Sequence, residues 1–366
     1  MSNRVPDVVD SSDTEAVLRD ILQQTETTLE PITPPEALDL YLEDKARECQ
    51  AATVRSHRSR LGFLIEWCDE QGIDNMNDLT ARDLHEFRVW RREDLNVVSE
   101  KTQMDTVRVF VEWCETIDAV QPGLFKKIKP PVIPDGGNVS ETTLDATRAD
   151  RILDYLQKFE YATVEHVTWV ILVKTGMRMG AAHGLDLEDY YPDGDHPHLA
   201  LSHRPDTETP LKNGRRGERP VSIPQEAQEV IEDYLENKRP DVTDDHGRKP
   251  LLATERGRLS KSTIRKYIYK WSRPCVYGAD CPHGKAPEDC EAAQSLNQAS
   301  KCPSSVTPHP IRRGYITRLL TASIPVDVIS ERCNVSAVVI DEHYDVRSED
   351  EKMRQRRGIL EESMGS

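Results

Sequence analysis

The sequence has no apolar run long enough to cross a bilayer, so we expect no transmembrane segment. Its first thirty residues are acidic and polar rather than basic and then apolar, so a signal peptide is not expected either. Both absences favour an intracellular, cytoplasmic protein. The eight cysteines are then expected to be reduced thiols or metal ligands rather than a disulfide framework.

Basic side chains are outnumbered by acidic ones, since the chain has 48 Lys and Arg and 64 Asp and Glu, for a net charge of -16. This balance argues against nucleic-acid binding, because phosphate contacts need Lys and Arg and gain affinity by counterion release. A binding face nevertheless requires only a local basic stripe. High internal salt, where screening is short-ranged, reconciles such a stripe with an acidic surface, and we therefore predict a halophilic protein.

The N-terminal third of the chain predicts a helical module. A length of 366 residues, 37% hydrophobic and 31% charged, is sufficient for two domains. Residues 1–33 are predicted to be an acidic lead-in, poorly ordered or a short helix. Apolar residues at helical spacing then make 34–126 a helical module. Its predicted helices cover 36–49, 53–71, 81–92 and 100–117.

A linker and a second module follow. Residues 127–141 are rich in Lys, Pro and Gly, which predicts a linker. The second module, 142–347, opens with predicted helices over 142–159 and 164–174, of which the latter is strongly apolar and is expected to be buried.

Two strand-like segments complete this reading of the second module. They lie at 199–202 and 220–223, and the polar stretch PLKNGRRGERP between them predicts a hairpin with Lys212 near its tip. The expected fold class is mainly α with a small antiparallel β-sheet. Residues 348–366 are predicted to be a C-terminal helix or tail, which either docks on a neighbouring protomer or remains solvated.

Four short motifs carry residues suited to phosphodiester chemistry. Cleavage by direct displacement puts negative charge on the non-bridging oxygens, so rigid cations are needed around the phosphorus. Arg178 and Arg312 are the candidates for this clamp, and arginines in that role remove the need for a catalytic metal. His309, one helical turn before Arg312, can bond the same oxygens or move the nucleophile's proton. The motifs are TGMRMG, the Lys212 hairpin, HPIRR and HYD around Tyr344.

Taken singly, each motif is typical of residues that lie at the surface or cap a helix. Taken together, the order and spacing of the four motifs resemble those of the tyrosine recombinase, or phage integrase, family. Within that family the chain looks most like integrase or Xer-like proteins of halophilic archaea. It implies a SAM-like core-binding DNA-binding domain at 34–126 and an α+β tyrosine recombinase catalytic domain at 142–347. The expected partners are double-stranded DNA and further copies of the chain, forming a tetramer on DNA, without a membrane. The expected location is the cytoplasmic nucleoid.

The resemblance also implies the roles of the site residues. Tyr344 would attack a DNA phosphate and hold the 3' end as a phosphotyrosine. Lys212 would protonate the leaving 5' oxygen, although Arg215 or Arg216 could occupy that place instead. The resulting activity is that of a site-specific DNA recombinase or integrase.

Two positions depart from the family pattern. Relatives usually carry His or Trp about nine residues before the nucleophile, and here Asn334 is the only polar substitute. An acidic residue shortly after the first arginine is replaced by Gly180 and Ala181. These losses leave open a catalytically weakened DNA-binding regulator on the same fold. A third possibility is a zinc-stabilised helical interaction protein without DNA.

A second group of chemistry-bearing residues lies in an insert at 274–306, which holds half of the cysteines of the chain. Soft ligands in a reducing compartment suit a tetrahedral structural zinc, held by four cysteines or by three plus a histidine. The spacing lacks tight CxxC pairs, and unrelated thiols are the alternative. The metal is expected to brace the active-site helix and not to take part in cleavage. The candidate ligands are Cys275, Cys281, His283, Cys290 and Cys302.

Overall fold

The computed structural model describes residues 29–134, 137, 142–194, 196–345 and 347–364. The chain separates into two units, Met1–Asn138 and Val139–Ser366. Most of the predicted lead-in and part of the predicted linker lie outside the described residues, and the domain limits stay a prediction. No helix within the described ranges is both long and apolar enough to cross a membrane.

Three helices of the N-terminal unit start at a residue whose side chain caps the helix, namely Thr33, Thr80 and Asn96. At Thr33 the side chain accepts from the Glu36 N–H, and the Glu36 carboxylate accepts from the Thr33 N–H, which completes a capping box. Gly72, at φ +70°, ends the second helix. The helices are α1 (Pro34–Glu48), α2 (Ala51–Gln71), α3 (Ala81–Arg92) and α4 (Val97–Glu115).

The core of this unit is aromatic and apolar. Tyr41, Phe87 and Phe110 are fully buried, and the Tyr41 ring meets Phe110 edge-on at a centroid distance of 5.3 Å. Helix α4 was predicted to start at residue 100. It starts at Val97 because the Asn96 side chain accepts from the Ser99 N–H.

The C-terminal unit packs around one apolar helix. Its helices are α5 (Ala146–Phe159), α6 (Val164–Thr175), α7 (Met179–Gly184), α8 (Gln225–Asn237), α9 (Lys261–Trp271), α10 (Glu291–Gln294), α11 (Pro308–Thr321), α12 (Val326–Cys333), α13 (Ala337–His343) and α14 (Glu349–Met364). Helix α6 is buried along most of its length, as its apolar sequence predicts. Helix α5 starts four residues later than predicted, because Asp145 caps it by accepting from the Arg148 N–H.

A three-stranded antiparallel sheet lies in the same unit, in the order β1 (Tyr190–Tyr191), β2 (His198–Leu201) and β3 (Arg219–Ser222). Leu199 is opposite Val221, and both side chains point into the core. A second antiparallel pair is formed by β4 (Ala253–Thr254) and β5 (Gly257–Arg258). The predicted mainly α fold with a small antiparallel sheet is therefore confirmed.

Helix α11 passes very close to the chain segment that precedes α5. The Leu144 N–H donates to the Pro310 carbonyl at 3.2 Å, and a Cβ placed on Gly314 would collide with the Leu144 carbonyl oxygen. Only a glycine allows this approach. The position of α11 relative to the core therefore depends on Gly314.

We expect Gly314→Ala to destabilise the protein by about 1–3 kcal/mol, because the methyl group must push the Leu144 backbone away. Gly180→Ala is the matched control, since a Cβ there meets nothing within 4 Å. The control should change the free energy of unfolding by no more than about 1 kcal/mol, and in the stabilising direction. Urea denaturation of the full chain measures both. Equal stability of Gly314→Ala and wild type would contradict this packing.

Candidate active site

The first arginine of the site follows directly from the end of α6. Gly176 adopts φ +62°, its N–H donates to the Leu172 carbonyl at 3.0 Å, and a Cβ at this position would collide with the Tyr315 ring. The helix therefore stops at a glycine, as the sequence predicts. Two residues later, Arg178 is the N-cap of α7, and its side chain reaches back into the centre of the unit.

Three arginines from separate elements meet at the end of α12. This helix ends at Cys333, and its C-cap Asn334 has the left-handed conformation with φ +50°. We refer to residues 332–334 as the carbonyl turn, because each of its three successive backbone carbonyls accepts from one guanidinium. The bonds are Arg219 Nε to Arg332 O at 2.7 Å, Arg312 Nη2 to Cys333 O at 2.5 Å and Arg178 Nη2 to Asn334 O at 3.0 Å.

The carbonyl turn is a favourable place for cations, because the C-terminus of a helix carries partial negative charge. The cluster still has an electrostatic cost. Burial first and then the neighbouring Arg312 lower the pKa of Arg178, and the same two causes lower the pKa of Arg219 to about 10. Both groups remain protonated at neutral pH.

Arg312 is the most enclosed of the three. It is 3% exposed, and its Nη1 also donates to the Gly176 carbonyl at 2.7 Å. Its Nε is buried and has no hydrogen-bond partner among the described residues. A buried donor without a partner costs free energy.

Tyr344 lies beside His309. The Tyr344 side chain is 5% exposed, and its Oη is 3.5 Å from His309 Nε2. The Arg313 guanidinium lies 5.8 Å from the centre of the phenol ring. The backbone is held as well, since Thr317 Oγ1 donates to the Tyr344 carbonyl at 3.3 Å.

His309 is surrounded by cations. Burial is the first cause that lowers its pKa, followed by the charges of Arg313, Arg312, Lys212 and Arg178. The imidazole is therefore neutral at pH 7 and can accept a proton through one nitrogen.

The β2–β3 connection contacts Asn334 through Asn213, the residue that follows Lys212. Lys212 is exposed, while Asn213 Nδ2 donates to Asn334 Oδ1 at 3.0 Å. On the same connection, a Cβ at Gly217 would lie 3.1 Å from Asn334 Nδ2. Asn334, which we assigned to the usual His or Trp position, therefore directs its amide at the Lys212 hairpin.

Arg219 and Arg313 are part of this arrangement and were not predicted from the sequence. Arg313 directly follows Arg312, so the doubled arginine of HPIRR was a usable signal. Arg219 opens β3 in a polar stretch, and nothing in its local sequence indicates a contact with α12.

The predicted zinc ligands do not form a metal site as they stand. Across the described ranges, no three His, Cys, Asp or Glu side chains are close enough together to hold a metal ion. Cys302 is buried, and the other three cysteines of the insert are partly exposed. His283 Nε2 lies 2.9 Å from Ser304 Oγ. The zinc prediction is therefore not confirmed, although all five side chains line one cavity.

Comparison with known proteins assigns the class. Residues 142–346, more than half of the chain, match the sequence model of the phage integrase family. The fold and this match together define a tyrosine-type site-specific DNA recombinase. The chain belongs to the phage integrase family, and the enzyme class predicted from its motifs is confirmed.

Individual relatives are distant in sequence. The chain is 23% identical over 313 residues to a tyrosine recombinase XerC of Neisseria meningitidis serogroup B, covering 84% of this chain and 89% of the relative. A Tn1549 transposon integrase in complex with a circular intermediate DNA is 13% identical, with a TM-score of 0.61 over 88% of this chain and 98% of the other. A lambda integrase tetramer bound to a Holliday junction is 14% identical, with a TM-score of 0.58 over 92% and 88%. These structures support the fold.

We expect the pKa of His309 to lie below 6.5 and to rise in Lys212→Met, because one nearby cation is removed. It should stay below 6.5 in that variant, since burial and the arginines remain. Arg318→Gln is the control, because Arg318 lies on the same helix but is exposed and pairs with Asp150 at 3.2 Å. Ring-proton NMR measures all three proteins.

The sign of the stability effect follows from this depressed pKa. Below pH 6.5 the unfolded chain takes up a proton at His309 before the folded chain does, so wild type should lose stability relative to His309→Gln as the pH falls. A His309 pKa at or above 6.5 in wild type contradicts the described arrangement.

Proposed function

We propose that this chain cleaves and rejoins DNA strands through a covalent bond between Tyr344 and the 3' phosphate. The observation that carries the proposal is the 3.5 Å separation of Tyr344 Oη and His309 Nε2, beside guanidinium groups anchored at the carbonyl turn. A non-cleaving regulator is not favoured, because the nucleophile and its surrounding cations are all present.

Arg178 and Arg312 form the phosphate clamp of this proposal. They donate to neighbouring carbonyls, at 334 and 333, so their guanidinium groups are held side by side. Each has further N–H groups, and Arg312 Nε is buried without a partner among the described residues. Preorganised donors of this kind stabilise charge that develops on the non-bridging oxygens.

Residues of the site account for each bond and each proton of the proposed covalent step. The Tyr344 oxygen bonds to phosphorus as its proton passes to neutral His309, and the bond from phosphorus to the 5' oxygen breaks. Lys212 gives a proton to that leaving oxygen. In the reverse step a 5' hydroxyl attacks the phosphotyrosine, so the bond energy is conserved and rejoining needs no ATP. In each step, the arginines compensate the negative charge on the phosphate oxygens.

Double-stranded DNA is the proposed substrate, with a tetramer of this chain as the working assembly. Support comes from the related integrases described as bound to DNA and, in one case, as a tetramer on a Holliday junction. Helix α14 carries exposed Met353, Leu360 and Met364, which suits docking on a neighbouring protomer.

The remaining assignments rest on sequence and family. We propose residues 34–126 as the core-binding DNA-binding domain, 127–141 as the linker and 142–347 as the catalytic domain. The net charge of -16 supports work at high salt, and a DNA substrate supports a location at the cytoplasmic nucleoid.

Tyr344→Phe should abolish covalent attachment to DNA, because the phenyl ring keeps the packing and lacks the attacking oxygen. A pool of nicked, random-sequence duplexes traps the covalent species, since the short strand released at the nick diffuses away. Denaturing gel electrophoresis then detects protein joined to DNA. Tyr191→Phe, at an exposed tyrosine of β1, is the matched control and should react like wild type. If the Tyr344→Phe variant formed as much covalent protein–DNA adduct as wild type, another residue would be the nucleophile.

Lys212→Ala should slow strand cleavage by about 10²–10⁴-fold, because the leaving 5' oxygen then departs without its proton donor. Replacing that bridging oxygen by sulfur should restore the rate, since a thiolate leaves without protonation. Arg215→Ala serves as control and should cleave both substrates at the wild-type rate. The measurement is the rate at which each protein cleaves the oxygen-bridged and the sulfur-bridged substrate. A Lys212→Ala defect of equal size on the sulfur substrate would assign Lys212 a positioning role.

A further inference from the structure

The insert at 274–306 surrounds a cavity of ≈ 170 Å³. Its walls carry Cys275, Cys281, Cys290 and Cys302, which come from four separate points of the insert. All four are free thiols. Half of the cysteines of the chain therefore face one small space, and nothing in the proposed cleavage chemistry uses them.

Three of these cysteines each begin a tight turn of the backbone. The carbonyl of Cys281 accepts from the Gly284 N–H at 3.1 Å, that of Cys290 from the Ala293 N–H at 2.8 Å, and that of Cys302 from the Ser305 N–H at 2.9 Å. The turns hold the cysteine backbones in place, so only rotation of the side chains is needed to change the positions of the sulfur atoms.

The insert has little apolar material to hold it together. Its buried side chains include the small Ala292 and Ala299, and its regular structure consists of short 3₁₀ helices and the four-residue helix α10. The ends are tied to the core, where the Val306 N–H donates to Ser272 Oγ at 2.9 Å. The middle lacks a hydrophobic core, and small segments of this kind usually require a metal or disulfides for order.

The charges around the cavity suit a metal held by four thiolates. A zinc ion with four thiolates carries a net charge of -2. Arg273, Lys285 and Lys301 line the same cavity together with one carboxylate, that of Glu291, which leaves two positive charges. The walls therefore offset the charge of such a centre, and Arg273 is itself buried there.

We propose that the insert binds one zinc ion through Cys275, Cys281, Cys290 and Cys302. As they stand, no three possible ligands in the described part of the chain are close enough to hold a metal ion. Binding therefore turns the four sulfur atoms inward, into a space large enough for a tetrahedral centre. The four thiolates complete a tetrahedral site by themselves, and the His283 Nε2 lies instead 2.9 Å from Ser304 Oγ.

The zinc ion has a structural role and takes no part in DNA cleavage. The insert connects α9 with α11, whose first turn carries His309, and the chain enters that turn directly after the Val306 anchor. Ordering the insert therefore orders the approach to α11.

The experiment uses the full chain, purified without a histidine tag or chelator and then dialysed against a small excess of zinc. Elemental mass spectrometry should find close to one zinc per chain. Cobalt(II) added to the metal-free chain should give the visible bands of a tetrahedral site and the strong near-ultraviolet absorption of thiolate ligands. The cobalt spectrum is recorded on the unaltered chain, so it does not depend on the folding of any variant.

Variants then test the ligand set. Cys275→Ser and Cys302→Ser should each lose the metal, whereas His283→Ala and the control Cys49→Ser, in the N-terminal unit, should keep it. Metal loss in His283→Ala would overturn the four-thiolate set. Absence of zinc and of a cobalt spectrum in wild type, or a disulfide between two of the four cysteines in protein freshly isolated from cells, would overturn the site itself. Covalent DNA attachment is measured separately, so either proposal can fail alone.

Discussion

Three consecutive carbonyl groups at the end of α12 hold the candidate site together. The carbonyl turn accepts from Arg219 on β3, Arg312 on α11 and Arg178 at the start of α7, so one turn of backbone positions three otherwise separate elements. Helix ends normally leave such carbonyls without partners within the helix. Here guanidinium groups satisfy them, and the cations are brought together despite their mutual repulsion.

Two glycines make this convergence possible. Gly176 ends α6 where any side chain would strike the Tyr315 ring, and its carbonyl is a second acceptor for Arg312. Gly314 lets α11 lie against the Leu144 backbone. Close packing of backbone therefore helps to set the position of His309 and Arg312 on α11, together with the buried side chains Ile311 and Ile316. The phenol of Tyr344 then lies beside a histidine whose neutral form is favoured by burial and by the surrounding cations.

The sequence predicts the motif-bearing residues better than the contacts that hold them. Arg178, Lys212, His309, Arg312 and Tyr344 were found because each lies in a short motif whose order along the chain is informative. The carbonyl turn was not found, since Arg178 and Arg219 bond to residues 156 and 113 positions away, and backbone acceptors leave no trace in side-chain identity. Helix starts were misplaced at Asn96 and Asp145, where a single capping side chain outweighed the apolar pattern. The family match confirms the enzyme class and the fold, and the individual roles in the site stay predictions.

The anchors of the three arginines are neutral. A carbonyl oxygen contributes a dipole and not a full negative charge, and no carboxylate in the described ranges forms an ion pair with Arg178, Arg219 or Arg312. Their positive charge is therefore undiminished, inside a protein that is strongly anionic as a whole. A polyanion approaching this molecule is repelled by its net negative charge and attracted by the guanidinium cluster. Misaligned encounters are therefore disfavoured, and a docking pose that brings a phosphate to the guanidinium groups is favoured.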